Sequence, residues 1–332
     1  MKKVCVLGDG AWGTAVATLL AHNGYQVALW CHDPVNAQAI ARTRVNERYL
    51  PGQILSERII PTTSLEDAVC DTRWVFEAVP VQYLRSVILD AAPCFRPDQV
   101  WVVLSKGIEQ DTLLLPTQII DDVFGDTHKK AVFAGPSFAA DLAHQQVTAV
   151  SVAAADCELV RELQAMLENN YFKPFFNTDL IGVQVGGAVK NVITLGVGML
   201  EGAGYKDNTK AFLVTRGLDE MAQITKVLGG KPETLYGLSG VGDLMLTALG
   251  KLSRNLAVGK RLGRGDALQT ILDELGHVPE GINTVQSIKQ LAQKHHLQLP
   301  ICNAVYEIIF AGKKIDHLIA ALMHHSDAQE CK

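Results

Sequence analysis

Residues 4–34 read VCVLGDGAWGTAVATLLAHNGYQVALWCHDP, and three glycines, Gly8, Gly10 and Gly13, stand there at G-x-G-x-x-G spacing. They directly follow the apolar run Val4–Leu7 and open the helical pattern Ala11–His22. A strand that turns at once into a helix on such glycines has few ways to fold. Gly8 permits the tight turn, Gly10 lets the backbone approach a pyrophosphate, and Gly13 lets the helix pack on the sheet. The helix start then offers N–H groups and a positive dipole end to phosphate. Gly24 closes the helix in the C′ position before a second strand. This context points to a dinucleotide; the loop leaves open whether it is a nicotinamide or a flavin cofactor.

The end of the second strand bears on which dinucleotide. An acid there accepts hydrogen bonds from the adenine ribose 2′-OH and repels a 2′-phosphate. Counting along Val27-Ala28-Leu29-Trp30, that place falls on Cys31, followed by His32, and Asp33 comes two residues late. Without the acid the site loses its charge penalty against NADP, and His32 can donate to a 2′-phosphate. NADPH is therefore expected, with NADH accepted.

The 332 residues are enough for two domains, and two textures are present. Up to residue 178, strand patterns alternate with helical ones. The strands are Val4–Leu7, Gln26–Cys31, Trp74–Val79, Val100–Leu104, Ala131–Ala134 and Ala149–Ala153; the helices include Ala11–His22, Val35–Arg42 and Val81–Ala92. Such alternation predicts βαβ units and a parallel sheet covered on both faces. From Asp179 on, helical patterns alone run over Asp179–Leu200, Thr209–Leu228, Ser253–Leu262 and Ile282–Lys294. Thr178 or Asp179 is the expected N-cap of the first. Its glycines (182, 186, 187, 196 and 198) would each weaken an exposed helix by up to ~1 kcal/mol, so close packing on a backbone or ligand is expected. The fold class is α/β: a doubly wound parallel sheet over 1–178, then an all-helical domain over 179–332, with only the last few residues disordered.

A net charge of −5 without a basic block argues against a nucleic-acid partner. Seven scattered cysteines, never in C-x-x-C spacing, suit a reducing compartment rather than a disulfide frame or zinc site. Gly8-Asp9-Gly10 cuts the apolar start too early for a secretory signal, and no membrane span is expected. The expected setting is cytoplasmic, and no metal is called for.

Ligands of such sheets bind beyond the carboxyl ends of the strands. Val100–Leu104 runs into Ser105-Lys106-Gly107, and Ala131–Ala134 into Gly135-Pro136-Ser137, where Ser137 is expected to cap the next helix. In the helical half, GGAVKNVITLG puts Lys190 and Asn191 in a glycine-rich apolar helix, where a lysine is costly unless its charge is paired or used. GLSGVGDLMLT puts Asp243 and Thr247 one helical turn apart. KLSRNLAVG offers Ser253 as N-cap with Arg254 and Asn255 in the first turn, a ready anion site. Taken singly, Lys106, Lys190 and Arg254 could each be a surface cation.

In order and spacing, GDGAWGTAVA, NERYLPG, LSKGIE, AGPSFA, GGAVKNVITLGVGM, GLSGVGDLMLT, LSRN and PEG resemble the bacterial-type NAD(P)-dependent glycerol-3-phosphate dehydrogenase family over nearly the whole chain. The resemblance implies a Rossmann domain plus a helical substrate domain. It implies reversible hydride transfer between sn-glycerol 3-phosphate and dihydroxyacetone phosphate, supplying phospholipid synthesis. It makes Lys190 the proton acceptor in alcohol oxidation and donor in ketone reduction, with Lys106 and Asp243 as further polar residues of the reaction and Thr247 as a weaker match. Gly135, Ser137, Ser253, Arg254 and Asn255 match substrate-contacting positions. Gly8, Gly10, Ala11, Trp12, Gly13, His32, Lys106, Ala139, Arg254, Val278 and Glu280 match the cofactor side. Two departures matter. Many relatives have Ser where Ala11 stands, and many carry Arg near His32, so 2′-phosphate affinity is expected to be weaker or pH-dependent. A homodimer is the commonest assembly in general and is expected here.

Two other readings remain open at this point. Dehydrogenases acting on 6-phosphogluconate or 3-hydroxyisobutyrate share both domain types and a lysine in a glycine-rich helix, but SRN and LSKG favour glycerol 3-phosphate. A nicotinamide sensor without chemistry would have no need to keep Lys106, Lys190, Asp243 and Arg254 together.

Overall fold

The computed structural model describes residues 2–276 and 278–323; the end of the chain, expected to be disordered, and Cys331 lie outside them. Along β1 (Lys3–Leu7) the side chains alternate between two fully buried surfaces: Val4 and Val6 join one apolar cluster, Cys5 and Leu7 another. A strand covered on both faces is the interior of a parallel sheet. The described residues form two compact units, one of residues up to 106 with 114–184, the other of residues 107–113 with those from 185 on.

The first unit holds an eight-stranded sheet and its covering helices. In chain order its elements are β1, α1 (Ala11–His22), β2 (Gln26–Trp30), α2 (Pro34–Thr43), the hairpin β3 (Val45–Asn46) and β4 (Leu50–Ile54), β5 (Ile59–Thr62), α3 (Leu65–Val69), β6 (Trp74–Glu77), α4 (Val81–Ala91), β7 (Val100–Val103), α5 (Pro116–Phe124), β8 (Lys129–Ala134), α6 (Ala139–Ala143), β9 (Thr148–Ala154), α7 (Cys157–Leu167) and β10 (Phe172–Asn177). The strand order β10-β9-β8-β7-β6-β1-β2-β5 reverses direction between β1 and β6. That is the topological switch point where such sheets bind ligands.

The sheet departs from the all-parallel expectation. β9 runs antiparallel to β8, with Ala131 opposite Ala154, whereas β10 is again parallel to β9. Residues 135–147 carry only the five-residue α6, too little helix for the usual return crossover. The hairpin β3–β4 escaped the sequence reading, and so did two strands of this sheet, which share one feature: β5 contains Pro61 and β10 contains Pro174. Both are edge strands, the places in a sheet that tolerate proline.

The second unit, among the described residues, contains no strand. It comprises α8 (Leu180–Gly202) from residue 185 on, then α9 (Asp207–Val227), a π-helical turn (Leu238–Gly242), α10 (Asp243–Leu249), α11 (Arg254–Gly263), α12 (Leu268–Leu275), α13 (Glu280–His295), α14 (Pro300–Phe310) and α15 (Asp316–Met323). At the start of α8, Asp179 Oδ1 accepts the Gly182 N–H at 2.9 Å, the expected capping role. By length and composition alone α8 could cross a membrane, but 89% of its most apolar window is buried inside the fold. Its glycines explain the burial. A Cβ on Gly198 would lie 2.5 Å from Leu256 O and 2.8 Å from Gly259 Cα, so the backbones of α8 and α11 touch there. Glu220 of α9, fully buried, ties that helix to α14: its carboxylate accepts the N–H groups of Ile301 at 2.6 Å and Cys302 at 2.9 Å.

Candidate active site

Of the cofactor-side residues, Gly8, Gly10, Ala11, Trp12 and Gly13 belong to the first unit and lie at its switch point, whereas Arg254, Val278 and Glu280 belong to the second. Gly8 has φ +112°, and a Cβ there would stand 2.8 Å from Ala78 O, just past the end of β6. On Gly13 a Cβ would meet Gly8 O at 2.0 Å, so helix α1 can seat on the loop only through a glycine. Gly10, at the N-cap of α1, has open space around its Cα, as a backbone approached by phosphate requires. Ala11 begins α1; Trp12 packs edge-on to Phe133 at 5.6 Å, and its buried Nε1 has no protein acceptor. This cradle fits a dinucleotide pyrophosphate.

Behind the loop lies a polar network that the sequence reading did not use. Asn36 Nδ2 donates to Asp9 Oδ2 at 2.6 Å, and Asn46 Nδ2 donates to Asp9 O at 2.7 Å and to Thr14 Oγ1 at 2.8 Å. All four residues are buried. Asn46 opens NERYLPG, so the motif's first residue holds the glycine loop; only its order in the sequence could have pointed to it.

Cys31, at the place of the missing acid, is fully buried; burial first, and Asp9 second, push its thiol far up, so it stays neutral. His32 is exposed, and Asp33 caps α2 by accepting the Val35 N–H at 2.8 Å. Asp9, His32, Asp33, Pro34, Arg48 and Tyr49 line one cavity of about 340 Å³.

Beyond β7, half-exposed Lys106 follows Ser105, whose hydroxyl donates to Glu77 Oε2 at 2.6 Å. Glu77 is wholly buried at the end of β6, and its other oxygen accepts the Val79 N–H at 2.7 Å. One carboxylate thus braces two strand ends of the site, and nothing in the local pattern WVFEAVP distinguishes it from an ordinary glutamate. Ser137 does not cap α6, against expectation: Phe138 is the N-cap, and Ser137 Oγ turns back to donate to Gly135 O at 2.9 Å. Gly135 itself is demanded by β9, since a Cβ would stand 2.8 Å from Val150 Cα. Ala139 begins α6 and packs against the core.

The second unit presents Lys190. Only 6% exposed, its Nζ lies 2.5 Å from Asp243 Oδ1 and 2.7 Å from Thr247 Oγ1. Asp243 is 1% and Thr247 4% exposed, and Thr247 also donates to the Asp243 carbonyl at 2.7 Å. Backbone geometry sets this up. Gly186, one turn before Lys190, admits the π-helical turn so closely that a Cβ would stand 2.5 Å from Ser239 O. That turn delivers Asp243 as the first residue of α10. A π turn inside helical structure is often found at functional sites.

At the start of α11, Ser253 caps by accepting the Leu256 N–H at 3.2 Å, and Arg254 is exposed in the first turn. Asn255 is buried and donates to Asn191 Oδ1 at 3.0 Å, so α11 is pinned to α8 one residue beyond Lys190. Gly281 allows α13 to start against this pair: a Cβ there would be 2.5 Å from Asn255 Oδ1. Glu280 begins α13, and Val278 just before it is exposed. Among the described residues no group of three or more His, Cys, Asp or Glu side chains could hold a metal ion.

A glycine cradle in one unit and a buried lysine–aspartate pair in the other frame the comparison with known proteins. Residues 3–160 match the model of the NAD-dependent glycerol-3-phosphate dehydrogenase N-terminus, and residues 179–320 that of its C-terminus. The chain belongs to the NAD-dependent glycerol-3-phosphate dehydrogenase family. It is 39% identical to glycerol-3-phosphate dehydrogenase [NAD(P)+] of Bacillus subtilis, covering 99% of this chain and 96% of that one. Identity to the enzyme of the same name from Geobacter metallireducens is 40%, over 97% of both. The crystal structure of glycerol-3-phosphate dehydrogenase from Coxiella burnetii superposes with a TM-score of 0.94 at 31% identity, covering 97% of this chain and 99% of that one. Membership in this family sets aside the readings as a sensor or as a dehydrogenase of 6-phosphogluconate or 3-hydroxyisobutyrate.

Proposed function

We propose that the chain interconverts sn-glycerol 3-phosphate and dihydroxyacetone phosphate, with residues 1–178 binding the cofactor and residues 179–332 the substrate. The observation that carries this reading is the buried Lys190, held at 2.5 Å by Asp243 and at 2.7 Å by Thr247. Burying an ammonium is costly unless it is paired, and family membership gives this one a task. A bound nicotinamide dinucleotide supplies the hydride to C2 of the ketone or takes it from the alcohol.

In ketone reduction, the Lys190 ammonium hydrogen-bonds to the C2 oxygen, stabilises negative charge developing there and gives it a proton. In alcohol oxidation, neutral Lys190 takes the C2 hydroxyl proton. Asp243 and Thr247 fix the direction of Nζ, so the proton is exchanged at a defined place. Lys106 contacts both substrate and cofactor. At the capped start of α11, Arg254 takes the substrate phosphate; its guanidinium suits a forked pair of bonds and the helix end suits the anion. Gly135, Ser137, Ser253 and Asn255 complete the substrate side. Gly8, Gly10, Ala11, Trp12, Gly13, His32, Ala139, Val278 and Glu280 serve the cofactor, and Arg254 is shared with it.

NADPH is the preferred cofactor and NADH is accepted. Support comes from the end of β2, where a neutral buried thiol replaces the acid and His32 is exposed. The product supplies phospholipid synthesis in the cytoplasm, and the working assembly is a homodimer. The deciding experiment is an initial-rate assay of NADPH and NADH oxidation with dihydroxyacetone phosphate. Turnover with both, faster with NADPH, is the expected result; no turnover with either would overturn the reading.

A further inference from the structure

The NADPH reading places one hydrogen-bond donor, His32, beside the 2′-phosphate, and the hairpin β3–β4 brings a cation, Arg48, to the same cavity. Arg48 stands at the hairpin tip, between Asn46 and Leu50. Its Nη1 lies 2.6 Å from Asp33 Oδ2, and its guanidinium carbon is 5.1 Å from the centre of the Tyr49 ring. The tip is anchored. Asn46, fully buried at its base, binds the Asp9 carbonyl and Thr14, and its Oδ1 accepts the Tyr49 N–H at 3.3 Å. The glycine loop that would take the pyrophosphate and the tip that carries Arg48 are therefore tied together through Asn46.

The cavity's two carboxylates would oppose a second phosphate, yet both are already engaged. Asp9 Oδ2 accepts from Asn36 at 2.6 Å. One oxygen of Asp33 caps α2, and the other holds Arg48. We propose that Arg48 is a specificity-determining residue which, with His32, takes the 2′-phosphate of NADPH and exchanges Asp33 for it. This rests on the NADPH reading above.

The Arg48 side chain is 55% exposed and that of Asp33 33%. An ion pair so open to water contributes little by itself, so a dianionic phosphate in forked geometry outcompetes the carboxylate. With NADH, the Arg48–Asp33 pair simply stays closed. The same device thus accommodates both cofactors, and Asp33 keeps the guanidinium aimed into the cavity when the phosphate is absent.

The test uses calorimetry with 2′,5′-ADP and 5′-AMP, fragments that differ by the 2′-phosphate alone, on the intact chain. For Arg48→Ala, 2′,5′-ADP should bind about 10- to 100-fold more weakly, the range for one lost charge-assisted contact, while 5′-AMP changes less than threefold and reports an intact fold. Arg48→Lys should restore part of the loss. Asp33→Asn, which keeps a capping side chain, should tighten 2′,5′-ADP several-fold. If the wild type prefers 2′,5′-ADP and Arg48→Ala leaves that preference unchanged, the NADPH reading stands and the role of Arg48 is overturned. If the wild type binds the two fragments equally, the NADPH reading falls, and the role of Arg48 falls with it.

Discussion

Lys190 Nζ and Asp243 Oδ1 meet at 2.5 Å from positions 53 residues apart, and both side chains are nearly excluded from water. A buried pair of this kind contributes little net stability, but removing one member leaves the other charge uncompensated at a cost of about 3–5 kcal/mol. Lys190→Ala should therefore abolish turnover with dihydroxyacetone phosphate, leave NADPH affinity nearly intact, and lower Tm by ~10 °C. The double variant Lys190→Ala/Asp243→Asn should recover most of the Tm and none of the turnover. Kinetics, cofactor titration and thermal melting on the three proteins separate the two roles; measurable turnover in Lys190→Ala would refute the catalytic one.

Arg254 sits exposed in the first turn of α11, where Ser253 already caps the helix. Losing a charge-assisted contact to phosphate there should raise KM for dihydroxyacetone phosphate by about 10²-fold, with a smaller effect on kcat. Because the side chain is exposed, Tm should hardly move. A KM that stays within a few-fold of wild type would place the phosphate elsewhere.

What could be read from the chain beforehand depended on the range of the interaction. The glycine loop was legible because two of its constraints are local: Gly8 takes φ +112°, and a Cβ on Gly13 would strike Gly8 O. Lys190 was visible as a costly cation on an apolar helix and Asp243 as an acid one helical turn from Thr247, and neither pattern pairs the two. Their geometry needs the π-helical turn that Gly186 admits, and no local periodicity encodes that turn. β5 and β10 were hidden by Pro61 and Pro174, which edge positions tolerate. Glu77, Asn46 and Arg48 were missed because what marks them is a partner 15 to 37 residues away: Glu77 with Ser105, Asn46 with Asp9, Arg48 with Asp33.

Gly198 joins packing to substrate binding. A Cβ there would stand 2.5 Å from Leu256 O, and backbone cannot yield as a flexible side chain would. Gly198→Ala should push α11 away from α8, shifting Ser253 and Arg254 and loosening the Asn255–Asn191 bond. The expected result is a KM for dihydroxyacetone phosphate raised at least several-fold, a Tm lowered by several degrees, and unchanged NADPH affinity. Steady-state kinetics beside cofactor titration would show it; unchanged KM and Tm would mean that the two backbones have room to part.

Glu220 makes stability depend on pH through a group far in sequence from the motifs of the reaction. Burial pushes its carboxyl from an ordinary 4.5 up to about 7, opposed only in part by hydrogen bonds from Cys302 and Ile301 at the start of α14. The sign follows from proton counts. Below pH 4.5 the folded and unfolded chains both hold this proton, and the contribution is fully present. Between 4.5 and 7 the folded chain keeps a proton that the unfolded chain has lost, so stability falls as pH rises. The shift of about 2.5 units, from 4.5 to about 7, corresponds to a contribution of about 3 kcal/mol, lost once pH has passed 7. Glu220→Gln removes the titration, so the stability of the wild type minus that of the variant should decrease from pH 5 to pH 8. Denaturant unfolding of both proteins across that range measures this difference. A flat or rising difference would mean that the two backbone N–H groups and the helix end outweigh burial and keep Glu220 charged throughout.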